Sequence, residues 1–120
     1  IGLRGGQISG ELDALCALAD IGADAIVFIV FIPTPGTRYE NCMPPSVESV
    51  ARIIATARCV FPKIPIYLGC MRPHGEYRHA LDLLAIRAGV NRIVAPSRPA
   101  RAKASELGLD VSWTEECCAL

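Results

Sequence analysis

The sequence predicts an α/β fold of parallel βα repeats forming half of a TIM-type (β/α)8 barrel, on three observations. Ala25 to Ile32 is an unbroken apolar run, rich in β-branched and aromatic residues and stopped by Pro33, which reads as a strand buried on both faces. Apolar runs of this kind alternate with amphipathic stretches across short connections, the arrangement of βαβ units. One local pattern also recurs, in Ile21-Gly-Ala-Asp-Ala-Ile-Val27, Ala88-Gly-Val-Asn-Arg-Ile-Val94 and Leu107-Gly-Leu-Asp-Val-Ser-Trp113. Each joins a helix end, a glycine able to turn left-handed, Asp or Asn, and an extended run, so the three are helix-to-strand turns of one type. About four such units fit half a barrel better than a complete doubly wound, Rossmann-like sheet, because the last extended piece trails into a polar, cysteine-containing tail. The Rossmann-like arrangement is the alternative.

Taken in order, Ile1-Gly2-Leu3 reads as the end of a strand, which suggests a piece of a longer polypeptide. Ser9 to Ile21 carries Leu12, Leu15, Cys16 and Ala19 at helical spacing and is stopped by Gly22, so it reads as an amphipathic helix. After the 25–32 strand, Pro33 and Pro35 fix φ and Gly36 permits a sharp turn, giving a stiff loop at the strand's carboxyl end, where α/β proteins keep their sites. Pro44-Pro45 then leads to a helix N-capped by Ser46, with Val47, Val50, Ile54 and Phe61 on one side, and Pro62 stops it. Ile64 to Leu68 is the next strand, 69–75 a loop, and 76–88 a helix with Tyr77, Leu81, Leu84 and Ala88 inward. Arg92 to Ala95 is a strand, Ser97 caps a short alanine-rich helix, and Leu109 to Trp113 is a last extended piece. The organisation expected is one unit over 1–114 and a tail over 115–120.

Twelve basic residues balance twelve acidic ones. No excess charge is left to attract a phosphate backbone, so nucleic acid is a poor partner. No run approaches the roughly 20 apolar residues that span a bilayer, and no export signal is seen, so the reading is a cytoplasmic protein without a membrane partner. Six cysteines in a βα pattern of this kind point to packing, metal ligation or redox chemistry in a reducing compartment rather than to disulfides.

In a barrel the loops after the strands share one mouth, which groups 2–6, 33–37, 69–75 and 95–97. Cys70, beside Arg72 and His74, suits a soft metal as a thiolate, or fills a tight turn. Cys117 and Cys118 lie near the chain end with little core to fill, which favours ligation of an iron–sulfur cluster or zinc over a vicinal disulfide, and Cys42 is a further candidate. Cys16 and Cys59, within helices, read as core. His74 is a candidate proton carrier or ligand, and His79 a solvated helix residue. Arg72 suits a carboxylate, a phosphate or Glu76. Ser97 at a helix start reads as an N-cap, with an anion site as the alternative. Tyr67 and Trp113 read as core rather than as stacking platforms.

Ile32-Pro-Thr-Pro-Gly-Thr37, then Pro44-Pro45 and a helix containing Ala57-Arg58 before Pro62, resembles the second half of radical S-adenosylmethionine (SAM) enzymes of the biotin synthase-like group. Ile66-Tyr-Leu-Gly-Cys70 through Val94 resembles the following strand, helix and strand, and Ile1-Gly-Leu-Arg-Gly5 the end of a strand motif beside the SAM adenine. More narrowly, Cys70-Met-Arg-Pro73 and Cys117-Cys118 resemble two-component, archaeal-type lipoyl synthases. The resemblance implies the carboxyl-terminal half of a barrel in which SAM lies on a [4Fe–4S] cluster and is cleaved to a hydrogen-abstracting 5′-deoxyadenosyl radical. It assigns Gly2, Leu3, Ile32, Pro33, Gly36 and Thr37 to SAM, and gives Cys70, Cys117 and Cys118 a role in iron–sulfur ligation, with Cys42 a further candidate from its loop position. The function implied is sulfur insertion into a lipoyl or octanoyl-type substrate, small or carried on a lipoyl domain. The CxxxCxxC that holds the SAM cluster in that group is absent from this chain, so the missing half, or a partner radical SAM subunit, has to supply it. A biotin synthase-like enzyme of other substrate, a non-catalytic half-barrel binding or assembly subunit, and a barrel piece binding a phosphorylated metabolite are the rival readings.

Overall fold

The computed structural model describes residues 1–116, which form four helices and a three-stranded parallel sheet: α1 (Glu11–Ile21), β1 (Ile26–Phe28), α2 (Val47–Val60), β2 (Ile66–Leu68), α3 (Glu76–Arg87), β3 (Arg92–Ile93) and α4 (Arg98–Glu106). β2 lies in the middle, with Ile26 opposite Ile66 and Tyr67 opposite Arg92. Strand order therefore follows chain order, and among the described residues it does not reverse as a doubly wound sheet does. Ile1 extends the series. Its main-chain nitrogen donates to Ile29 O and its carbonyl accepts from Phe31 N at 2.9 Å, the pattern of a parallel neighbour on the β1 edge away from β2. The fold is thus α/β and compatible with a partial βα barrel.

The first two recurring turns lead from helix to strand as their sequences require, whereas the third, after Leu107, leads into 109–113 without forming a strand. Gly22, Gly89 and Gly108 all hold positive φ, at 88°, 83° and 65°. Asn91, in the second turn, accepts from Ile66 N at 3.0 Å through its side chain and donates its own N–H to Ile66 O at 2.7 Å, so it starts the pairing of β3. Arg58 of α2 reaches this end of the sheet and donates to the carbonyls of Phe61, Ile64 and Gly89 and to Asn91 Oδ1.

The core lies between the sheet and the helices. Ile26, Phe28, Val30, Ile66 and Leu68 meet Val50, Ile53, Ile54 and Ala57 of α2 and Leu81 and Ala85 of α3. Ser46 caps α2 as its sequence predicts, accepting from Ser49 N at 3.2 Å. The opposite sheet face is open: Val27 is 38% and Ile29 43% exposed, and Tyr67 is half-buried. The expectation of a strand buried on both faces is therefore corrected, since helices cover only one side. Regular pairing is also shorter than the apolar run, covering 26–28.

Other expectations change for similar reasons. In α1 only Leu15 is buried, while Leu12, Cys16 and Ala19 are exposed. Cys59 is exposed too, so neither helical cysteine belongs to the core. Residues 109–113 form no strand, and Trp113 is 63% exposed with the Arg101 guanidinium 4.9 Å from its ring centre. Cys117 and Cys118 lie outside the described residues. No helix among the described residues is long and apolar enough to cross a membrane.

Candidate functional site

The carboxyl ends of Ile1, β1, β2 and β3 share one edge of the sheet, and the loops that leave them build the candidate site. The first two loops are locked together. A Cβ on Gly2 would lie 2.9 Å from Pro45 Cγ, one on Gly5 3.1 Å from Cys42 Sγ, and one on Gly6 1.8 Å from Met43 O. Only glycine permits this approach, and Gly6 also holds φ at 86°. Gly2 N donates to Glu11 Oε1 at 2.8 Å, which ties the loop to α1. Burial raises the Glu11 carboxyl pKa, but main-chain hydrogen bonds from Gly2, Glu11 and Ser9 outweigh it, and the net shift is downward.

The 34–37 turn is closed on itself. Thr37 donates to Thr34 O through N–H at 3.2 Å and Oγ1 at 2.7 Å, and Gly36 N donates to Glu40 Oε2 at 2.7 Å. The donors at Gly36 and Thr37 are thus already used. Ile32 and Pro33 are half-buried, Leu3 is 68% exposed, and Phe31 packs edge to face on Tyr39. Because Ile1 and Phe31 are hydrogen-bonded, Gly2-Leu3 and Ile32-Pro33 begin their loops side by side. The 2–6 loop and the loop through Ile32-Pro33 thus start from neighbouring strand ends, and Cys42 Sγ lies close to Gly5.

The loop after β2 is organised by Arg72. This side chain is fully buried and bidentate on Asp82, Nε to Oδ1 at 2.8 Å and Nη2 to Oδ2 at 3.2 Å. It also donates to the carbonyls of Gly69, Val94 and Ala95, joining the ends of β2 and β3. Among the described residues Ala95 is the one non-glycine residue with positive φ, at 46°. Asp82 Oδ2 accepts Ser97 N at 2.8 Å, so a carboxylate of the chain itself occupies the start of α4. Ser97 sits at the N-cap position, but its Oγ makes no cap bond and is buried without a partner. The anion-site alternative at Ser97 is thereby corrected: its N–H already serves Asp82. Arg72 pairs with Asp82 rather than Glu76.

Cys70 is an exposed free thiol on this loop, and His74 is exposed. His79 Nδ1 lies 3.5 Å from Glu76 Oε1. Among the described residues no three His, Cys, Asp or Glu side chains converge as a metal site requires, so Cys70 and Cys42 do not complete one. Sequence reasoning passed over Asp82 and Arg78. An acid between leucines of a predicted helix, ten residues after an arginine, was the available sign of a buried pair.

This edge defines a class of protein, a βα-repeat unit presenting strand-end loops. Within that class the chain is similar to two proteins described as biotin synthase. One, from Ruthia magnifica subsp. Calyptogena magnifica, is 36% identical over 70 residues, 58% of this chain and 21% of that protein. The other, from Vesicomyosocius okutanii subsp. Calyptogena okutanii (strain HA), is 33% identical over 73 residues, 61% of this chain and 22% of that protein. The matched segment thus spans about a fifth of either relative. No protein-family model matches the chain, and no solved structure does. The similarity supports the broad resemblance to radical SAM enzymes and does not reach the narrower one to lipoyl synthases.

Proposed function

We propose that this chain is the carboxyl-terminal part of a radical SAM barrel of the biotin synthase-like group, supplying part of the mouth in which SAM and substrate meet. The observation that carries the reading is the interlocked pair of loops at the strand ends, 2–6 against 42–45, which leave neighbouring strand ends joined by the Phe31 N to Ile1 O hydrogen bond. SAM with its [4Fe–4S] cluster supplies radical chemistry at unactivated C–H bonds. The part played by these residues is binding: with the Gly36 and Thr37 donors already satisfied, the loops offer apolar surface from Leu3, Ile32 and Pro33 to a flat ring. The described residues do not hold a complete cluster site, so no step is assigned to an iron–sulfur centre on them. The CxxxCxxC half comes from the rest of the barrel or a partner subunit.

The narrower reading is sulfur insertion into a lipoyl or octanoyl-type chain, with Cys70, Cys117, Cys118 and Cys42 as candidate ligands of a second cluster. It is supported by the Cys70-Met-Arg-Pro73 motif and by the exposed position of Cys70 at the mouth edge. The open face bearing Val27 and Ile29 fits a subunit completed by further βα units.

The test is SAM binding by calorimetry to the chain assembled with its CxxxCxxC half. Leu3→Asp and Ile32→Asp are expected to weaken binding about tenfold or more, since each puts a charge on apolar contact surface. Unchanged affinity in both would overturn the assignment of these loops to SAM. Anaerobic iron and sulfide uptake by Cys70→Ala and Cys117→Ala tests the ligand set separately: undiminished uptake removes those thiols from it.

A further inference from the structure

The loop carrying Cys70 is irregular in backbone and yet completely tied. Each carbonyl from Gly69 to Arg72 has a donor. Gly69 O accepts from Arg72 Nη1 at 2.6 Å, Cys70 O from Arg72 N and Arg78 Nη2, both at 3.1 Å, and Met71 O from Val30 N at 2.8 Å. Arg72 O accepts from Arg78 Nη2 at 3.3 Å. Arg72 is itself locked in the Asp82 pair, whereas no carboxylate pairs with Arg78 among the described residues. Burial and the Arg72 charge push the Arg78 guanidinium below its ordinary range, while Asp82 and Cys70 oppose that shift. Through Nη2 alone Arg78 bridges two loop carbonyls, while its Nε is buried without a partner among the described residues, so what this side chain does with its hydrogen bonds is to hold a backbone shape.

We propose that Arg78 is a positioning residue that fixes the 70–72 backbone, so that Cys70 and Met71, both exposed, are displayed at the mouth from a rigid loop. Two adjacent strand ends share the load, because the Met71 carbonyl is also the acceptor of Val30 in the extension of β1. The use made of the loop rests on the mouth reading above; the clamp stands on the hydrogen bonds alone. A preorganised support of this kind is what a ligand or substrate contact needs, since loose loops cost precision.

The test is amide hydrogen exchange read residue by residue. In Arg78→Ala the N–H groups of Arg72 and Val30 are expected to exchange about tenfold faster or more, the loss expected when a charged donor leaves. Ile26 N, bonded to Pro65 O, and Val94 N, bonded to Leu68 O, are expected to keep their protection. Arg78→Lys, which can still reach one carbonyl, is expected to restore part of the protection at Arg72. Unchanged exchange at Arg72 and Val30, or equal acceleration there and at His79 N within α3, would overturn the proposal. Should Arg78→Ala fail to fold, Arg78→Gln is read by the same criteria. Failure of the SAM or iron–sulfur reading would leave this exchange pattern as it is, so the two results are distinguishable.

Discussion

Removing the Asp82 carboxylate tests the account of the site most severely. Both partners of the Arg72–Asp82 pair are fully buried, so Asp82→Ala leaves a guanidinium charge in the interior with only carbonyls around it. Breaking a buried pair in this way costs about 3–5 kcal/mol. Ser97 N also loses its acceptor, which adds roughly 1 kcal/mol or more. Domains of this size hold only about 5–15 kcal/mol in total, so the variant is expected to be barely stable or unfolded. Urea unfolding followed by far-ultraviolet circular dichroism is the assay, because Trp113 is exposed and a poor reporter of the core. With a slope of about 1–3 kcal/mol per molar urea, the midpoint should fall by at least about 1 M. Asp82→Asn should lose nearly as much, since it restores shape but not charge. The double change Arg72→Met with Asp82→Leu should recover only part, because it abandons the carbonyls of Gly69, Val94 and Ala95. A loss under about 1 kcal/mol in Asp82→Ala, the size of an ordinary hydrogen bond, would refute the reasoning.

The loop interlock predicts unequal glycines: Gly6→Ala forces a Cβ to within 1.8 Å of Met43 O and should cost well over about 2 kcal/mol, whereas Gly36→Ala, with nothing within 4 Å, should cost only the strain of its positive φ, about 1 kcal/mol. Equal losses by urea midpoint would show that the loops do not meet as described. Tyr77 donates to Pro45 O at 2.7 Å, and burial, with Glu48 nearby, pushes its phenol up to about 12. Because the folded value is raised, its contribution to stability should be full below about pH 10 and lost as pH rises through about 12. Ultraviolet titration should show a late phenolate that disappears in Tyr77→Phe, and its persistence there would reassign it.

Local features were legible because their causes are local. The positive φ of the three turn glycines, the Ser46 cap and the end of α2 before Pro62 each depend on a few neighbouring residues, and each forms as the sequence predicts, although the third turn enters no strand and β1 ends at Phe28, well before Pro33. Facing was harder. Leu12, Leu15, Cys16 and Ala19 have correct helical spacing, but only Leu15 meets the core, because spacing shows that a face exists and not how far a partner covers it. The apolar run 25–32 misled in the same way: it is apolar on both faces, yet helices cover one. Asp82 was missed because an acid in a helix ordinarily faces water. Its burial depends on Arg72 across a loop, a pairing that periodicity does not encode.

These errors share a direction. Cys59 on α2 stands apart, but most residues expected inside and found exposed lie in three places: Val27 and Ile29 on the open sheet face, Leu12 and Cys16 on α1, and Trp113 beyond β3. Those are the surfaces an arc of βα units leaves bare, its inside and its two flanks, and a closed sandwich of sheet and helices has no reason to place apolar residues there. On the helix-covered side the mismatch is limited to Cys59, since Val50, Ile54, Ile66, Leu68 and Leu81 are all fully buried. Apolar exposure concentrated on the open sheet face and α1, with Val60 of α2 also 40% exposed, is compatible with a partial βα fold.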